Sequence, residues 1–143
     1  MPADGTFKDK IALIFTERYQ NVKMDIDCLK QFKDKMIFFG LPREHNLFEK
    51  RHFKVDYIPV NDALEFARYA KGCKCVVGNQ SGLFSIAEEV KANRILLPVQ
   101  FMNYQRNGQN FVIPGPCNNV CVGGWWENAS TAEKLESLVK ELI

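Results

Sequence analysis

The 143-residue chain reads as an α/β protein, a parallel sheet with helices on both faces. Three observations predict it. From Lys10 onward, short β-branched or aromatic runs alternate with segments of helical period. The first run, Ile11-Ala12-Leu13-Ile14-Phe15, is continuously apolar rather than alternating, as expected of a central strand buried on both faces. Gly, Pro, Asn and Asp punctuate the changes from one period to the other. The length suits one domain over residues 1–143, and a domain this size buries roughly two thirds of the surface its unfolded chain exposes, enough for a core without metal or disulfide staples.

Each element can be justified in order. Residues 1–9 lack a periodic pattern and are expected to be a flexible N-terminal segment. After the first strand, residues 25–34 repeat Ile26, Leu29 and Phe32 at helical spacing. The second strand, Met36-Ile37-Phe38-Phe39, stops at Gly40, and Pro42 suits the first turn of a helix running to about His52. A third strand, Val55-Asp56-Tyr57-Ile58, ends at Pro59. Asn61 or Asp62 caps the next helix, which carries Ala63, Phe66, Ala67 and Ala70 and closes at Gly72. The fourth unit is the clearest: strand Cys75-Val76-Val77, turn Gly78-Asn79-Gln80-Ser81-Gly82, then a helix with Leu83, Ile86, Ala87 and Val90 on one face. The fifth strand is Ile95-Leu96-Leu97-Pro98-Val99. Residues 100–128, rich in Asn, Gln, Gly and Pro, read as a long irregular loop. A final helix from Thr131 presents Leu135, Leu138, Val139 and Leu142 and opens with Ser130-Thr131-Ala132-Glu133 as a capping box. The result is a three-layer, Rossmann-like doubly wound sheet of about five strands in the order 3-2-1-4-5.

Composition narrows the function. With 19 Lys and Arg against 17 Asp and Glu, a formal charge of +2 and no Lys/Arg stripe interleaved with aromatics, nucleic acid is not expected as the main partner. No apolar run reaches the ~20 residues of a membrane span, and Met1-Pro2-Ala3-Asp4-Gly5-Thr6 lacks the form of a signal peptide, so a cytoplasmic location is expected. Five cysteines read as reduced thiols. Cys73 and Cys75, two apart, would share a strand face. Neither that pair nor Cys117 and Cys121 has the zinc-knuckle spacing, so no metal and no cofactor are expected.

In such sheets ligands bind beyond the carboxyl ends of the strands, where the connections diverge. In the order 3-2-1-4-5 that point lies between strands one and four, so Thr16-Glu17-Arg18-Tyr19-Gln20-Asn21 meets Gly78-Asn79-Gln80-Ser81-Gly82. The second segment opens a helix whose unpaired N–H groups favour an anion, and Arg18 supplies a cation able to grip phosphate in a bidentate way. Spacing alone leaves open whether this turn cradles an anion or whether Ser81 only caps its helix and Gly78 only makes the turn. The dinucleotide and P-loop fingerprints are absent, and both histidines, His45 and His52, precede Ser81, against the hydrolase order Ser, acid, His. With Arg43, Glu44, Glu49, Lys50 and Arg51 those histidines read as a solvated helix face.

The run Cys75-Val76-Val77-Gly78-Asn79-Gln80-Ser81-Gly82-Leu83-Phe84-Ser85-Ile86-Ala87-Glu88, followed by Arg94-Ile95-Leu96-Leu97-Pro98, resembles the nucleotide-sugar-binding, C-terminal half of GT-B glycosyltransferases, most of all the heptosyltransferase-like group. Arg18-Tyr19-Gln20-Asn21 and Phe38-Phe39-Gly40-Leu41-Pro42-Arg43-Glu44 are similar to segments of bacterial and phage relatives of that group. The likeness covers roughly residues 10–100. It implies a nucleotide diphosphate sugar as ligand, bound through Arg18, Tyr19, Asn79, Gln80, Ser81, Gly82 and Leu83, with Asp62 toward a ribose hydroxyl. The family's turn generally carries Asp where this chain has Asn79. GT-B enzymes close a cleft between two such domains, and this chain has one, so the resemblance implies donor binding with transfer dependent on a second domain or subunit. It assigns no catalytic residue here.

Two other readings stay open. A non-catalytic interaction module would use Phe101, Met102, Tyr104, Phe111, Trp125 and Trp126, although at least one tryptophan is expected to pack the last helix onto the sheet. A nucleotide-metabolising hydrolase on a flavodoxin-like fold would use Glu17, Asp62 or Glu88 as its acid.

Overall fold

A computed structural model of the chain describes residues 2–16, 26–79, 81–97, 101–106, 109–114, 124–129 and 131–143. The elements follow the alternation of the sequence. Strand β1 (Ile11–Ile14) leads to a 3-10 segment (Asp27–Lys35) and β2 (Met36–Phe38), then α1 (Pro42–Arg51), β3 (Asp56–Tyr57), α2 (Ala63–Gly72), β4 (Cys75–Gly78), α3 (Gly82–Glu89) and β5 (Arg94–Leu96). Beyond these lie β6 (Phe101–Arg106), β7 (Gln109–Pro114), β8 (Trp126–Asn128) and α4 (Ala132–Leu142).

The main sheet is parallel, with strand order β3-β2-β1-β4-β5-β8. The expected order 3-2-1-4-5 holds, and a sixth strand extends it. All four β1 residues are buried, and successive side chains leave to opposite faces. Ile11 and Leu13 join one core with Phe38, Val77, Phe48 of α1, and Leu135 and Val139 of α4. Ala12 and Ile14 join the other, with Phe39, Phe66 and Ala70 of α2, and Phe84 and Ala87 of α3. These two cores make the three layers. Among the described residues no helix is long and apolar enough to cross a membrane.

Several expectations change. The segment after β1 is 3-10 rather than α-helical, and its pattern explains why. Ile26, Leu29 and Phe32 recur every three residues, the repeat of a 3-10 turn, and all three pack on one core. Residues 2–9 are tied to the fold: Asp4 N–H donates to Arg68 O at 3.0 Å, and Phe7 lies edge-on to Tyr69 with ring centroids 5.0 Å apart. Residues 100–128 are not one irregular loop. They contain the antiparallel hairpin β6–β7, with Tyr104 opposite Phe111, and the edge strand β8. Thr131 rather than Ser130 caps α4, its hydroxyl accepting from Lys134 N–H at 3.1 Å.

Cys73 and Cys75 sit in different cores, because Cys73 still belongs to the turn that ends α2 and only Cys75 is in β4. Burial pushes the Cys73 thiol up to about 12 and raises that of Cys75 as well, so both stay protonated. Cys117 and Cys121 lie outside the described residues. Trp125 and Trp126 are 38% and 39% exposed, Trp126 as the first residue of β8 and Trp125 just before it. An edge strand covered on one side only leaves such side chains open to solvent.

Candidate functional site: a cleft at the switch point

β1 is hydrogen-bonded to β2 on one side and to β4 on the other, so the connections diverge at the carboxyl ends of β1 and β4. There Gly78 is the register partner of Ile14, and a Cβ on Gly78 would run into the Ile14 carbonyl oxygen and side chain. Glycine is required by this close approach of two backbones, and not by a turn conformation.

Asn79 comes next and is buried. Its side-chain oxygen accepts from Thr16 N–H at 3.0 Å and its NH2 donates to Thr16 O at 2.8 Å. The amide thus pairs with a backbone unit as a neighbouring strand would, and it locks the exit of β1 to the exit of β4. Only a group that both donates and accepts can do this. That accounts for Asn where the resemblance leads one to expect Asp, and it gives Asn79 a holding role, with no atom of its amide left over from Thr16 except one N–H.

Ser81 is the N-cap of α3, its hydroxyl accepting from Phe84 N–H at 3.2 Å, while its carbonyl accepts from Ser85 N–H at 3.0 Å. The N–H groups of Gly82 and Leu83 have no acceptor among the described residues. Around Gly82 a Cβ would meet nothing within 4 Å. Unlike α1, α2 and α4, which carry Glu44, Glu65 and Glu133 in their first turns, α3 has no acidic residue there to offset its positive end.

That end opens on a cleft of about 800 Å3 lined by Ile14, Phe15, Thr16, Phe39 and Leu41, by Arg43 and Glu44 of α1, and by Ser81, Gly82 and Leu83. Its size falls within the range of about 300–1,000 Å3 typical of small-molecule sites. Two helix N-termini, those of α1 and α3, border it. Glu44 is the one carboxylate among the described lining residues, and it accepts from Leu41 N–H at 2.9 Å.

Of the residues the sequence singled out, Ser81, Gly82 and Leu83 come together on the cleft and Asn79 stands behind it. Arg18, Tyr19 and Gln80 lie outside the described residues, as does Glu17. Asp62 is the N-cap of α2, accepting from Glu65 N–H at 2.8 Å, and is not among the described lining residues. Glu88 lies at the far end of α3 from the cleft. Leu41, Arg43 and Glu44 were missed as site residues, the last two because charge density made them part of a solvated face. The available signal was positional: the loop after the second strand must leave beside the first, at the same carboxyl edge. No metal-binding cluster of His, Cys, Asp or Glu occurs among the described residues.

Fold and cleft together define a doubly wound, Rossmann-like α/β protein with its candidate ligand site at the topological switch point. Comparison with protein-family models and with curated proteins found no match. The functional reading therefore rests on the chemistry of the cleft and on the resemblance of the turn that forms it.

Proposed function

We propose that this chain binds a nucleotide diphosphate sugar in the switch-point cleft, as the donor-binding half of a GT-B glycosyltransferase of the heptosyltransferase-like group does, and that glycosyl transfer requires a second domain or subunit. The observation that carries the reading is the N-terminus of α3: two N–H groups with no acceptor among the described residues, no acid in the first turn, and open space at Gly82, all facing a ligand-sized cleft. A diphosphate supplies the anionic oxygens such a site lacks. Arg18 adds the cation the resemblance implies, and Phe39 and Leu41 offer apolar wall to the rest of the ligand. The dependence on a second domain is what the resemblance implies, since GT-B enzymes close the reacting cleft between two such domains.

Titration calorimetry with nucleoside diphosphates and their sugar conjugates tests this. One base is expected to bind in preference to the others, with EDTA making no difference, and ligand at one hundred times its Kd should stabilise the fold by about 2.7 kcal/mol. Gly82→Val, which fills the open space, and Arg18→Ala are each expected to weaken binding at least about tenfold. Absence of binding by every nucleotide would reduce the resemblance to one of fold.

A further inference from the structure

The opposite edge of the sheet carries a feature that the cleft does not use. The register sets Ile11 beside Met36 and Cys75, so one residue earlier Lys10 stands between Lys35 and Lys74, and Lys74 N–H donates to Lys10 O at 3.0 Å. The pairing of Ile37 with Asp56, carried two residues back, places Lys54 beside Lys35. Four neighbouring strands are therefore each preceded by a lysine at one level, in the spatial order Lys54, Lys35, Lys10, Lys74. With strands about 4.8 Å apart, the row is about 14 Å long. Lys35 and Lys54 are exposed. Lys10 donates to Asp34 O at 2.7 Å, and among the described residues none of Lys35, Lys54 and Lys74 is in an ion pair. Asp9 and Asp34 are the acids next to the row in sequence, and no ion pair joins either to these lysines. The basic last turns of α1 and α2, with Lys50, Arg51 and Lys71, reach the same edge, because the helices run antiparallel to the strands.

The same edge ends in aromatics. Arg94 pairs with Trp126, and Arg94 N–H donates to Trp125 O at 3.1 Å, so both exposed tryptophans sit at the amino-terminal end of β8, two strands beyond Lys74. A row of lysines on flexible stems, each a point charge that fixes no ligand geometry, suits a diffuse layer of negative charge. Exposed tryptophan at its end suits the headgroup level of a bilayer. We infer that the amino-terminal edge of the sheet docks on an anionic membrane surface, through Lys54, Lys35, Lys10 and Lys74 as the charge contact and Trp125 and Trp126 as the interfacial anchor. The cleft, at the other edge, then faces away from the lipid toward soluble ligands. The inference does not depend on what the cleft binds.

The test is co-sedimentation of the full chain with vesicles of phosphatidylcholine alone and of phosphatidylcholine with phosphatidylserine. Association is expected with the anionic vesicles only and to fall steeply with salt. Each lysine neutralised should weaken it about fivefold, so the combination Lys35→Gln, Lys54→Gln and Lys74→Gln should cost on the order of a hundredfold. An unchanged melting temperature establishes that this variant is folded, and the single substitutions carry the test if it is not. Trp125 and Trp126 are the chain's two tryptophans, so emission excited selectively from tryptophan reports on this edge alone. It should shift to the blue and be quenched by brominated lipid. Equal association with neutral vesicles, wild-type affinity in the lysine variants, or unquenched tryptophans would each overturn the inference. So would tighter binding to a single-stranded oligonucleotide than to anionic vesicles, which would assign the edge to nucleic acid.

Discussion

Asn79 shows how much of this site depends on which atom of a side chain donates. Its amide meets Thr16 through both an acceptor and a donor contact, at 3.0 and 2.8 Å. Asn79→Asp keeps the shape and removes the donor, leaving a carboxylate oxygen against the Thr16 carbonyl in a buried place. The expected loss is about 1–3 kcal/mol of stability at neutral pH, read as a lowered melting temperature. The sign of its pH dependence is set by the same geometry. Burial and the facing carbonyl raise the pKa of the introduced carboxyl, so part of the loss should be regained as pH falls through that raised value and the protonated group donates to Thr16 O. A variant whose deficit does not shrink on acidification, relative to the parent chain, would mean that the pairing is not what holds the two loops. The sequence brought the segments of Asn79 and Thr16 together at the switch point, but not the two hydrogen bonds between these residues, which lie 63 positions apart.

At the scale of the element, Ser81 and Gly82 stand in different surroundings at the start of α3. Ser81 does cap the helix, and Gly82 does not serve packing. Ser81→Ala should therefore cost about 1 kcal/mol of stability, while Gly82→Val should act mainly on ligand affinity. Chemical denaturation of the two variants beside calorimetry distinguishes these effects, and a Ser81→Ala chain as stable as the parent would show that the cap bond is idle. Three helix starts were legible because caps are local: Pro42 opens α1, Asp62, one of the two caps the sequence offers, precedes α2, and Ser81 precedes α3, whereas the cap of α4 falls one residue later than expected. The hairpin was legible too and was missed. Residues 101–106 and 109–114 flank Asn107-Gly108, a dipeptide that signals a tight hairpin turn, although those two residues themselves lie outside the described ones. Strand β8 is a different case. Trp126-Glu127-Asn128 has no strand pattern of its own, and it is ordered by the open edge of β5, with Ala129 N–H donating to Leu96 O at 2.9 Å.

Across the whole molecule, the two functional proposals occupy opposite edges of one sheet. Strands of this sheet are three or four residues long where they pass through both cores, and a rigid, close-packed interior of this kind keeps the edges apart. Occupancy of one edge should leave the other unaffected. Nucleotide affinity measured in the presence of saturating anionic vesicles is expected to match that in solution, and competition between the two ligands would show that they share a surface.

The sequence by itself determined the layer architecture, the order of the central strands and the turn that forms half of the cleft, because each follows from periodicity, capping and chain connectivity over short distances. Only the tertiary structure decided that Asn79 clasps Thr16, that Arg43 and Glu44 turn toward the cleft, and that four lysines scattered between positions 10 and 74 form a row ending near two exposed tryptophans. These are matters of register between strands distant in sequence. Parallel pairing is set by the joint burial of two faces, which no local window of the chain contains.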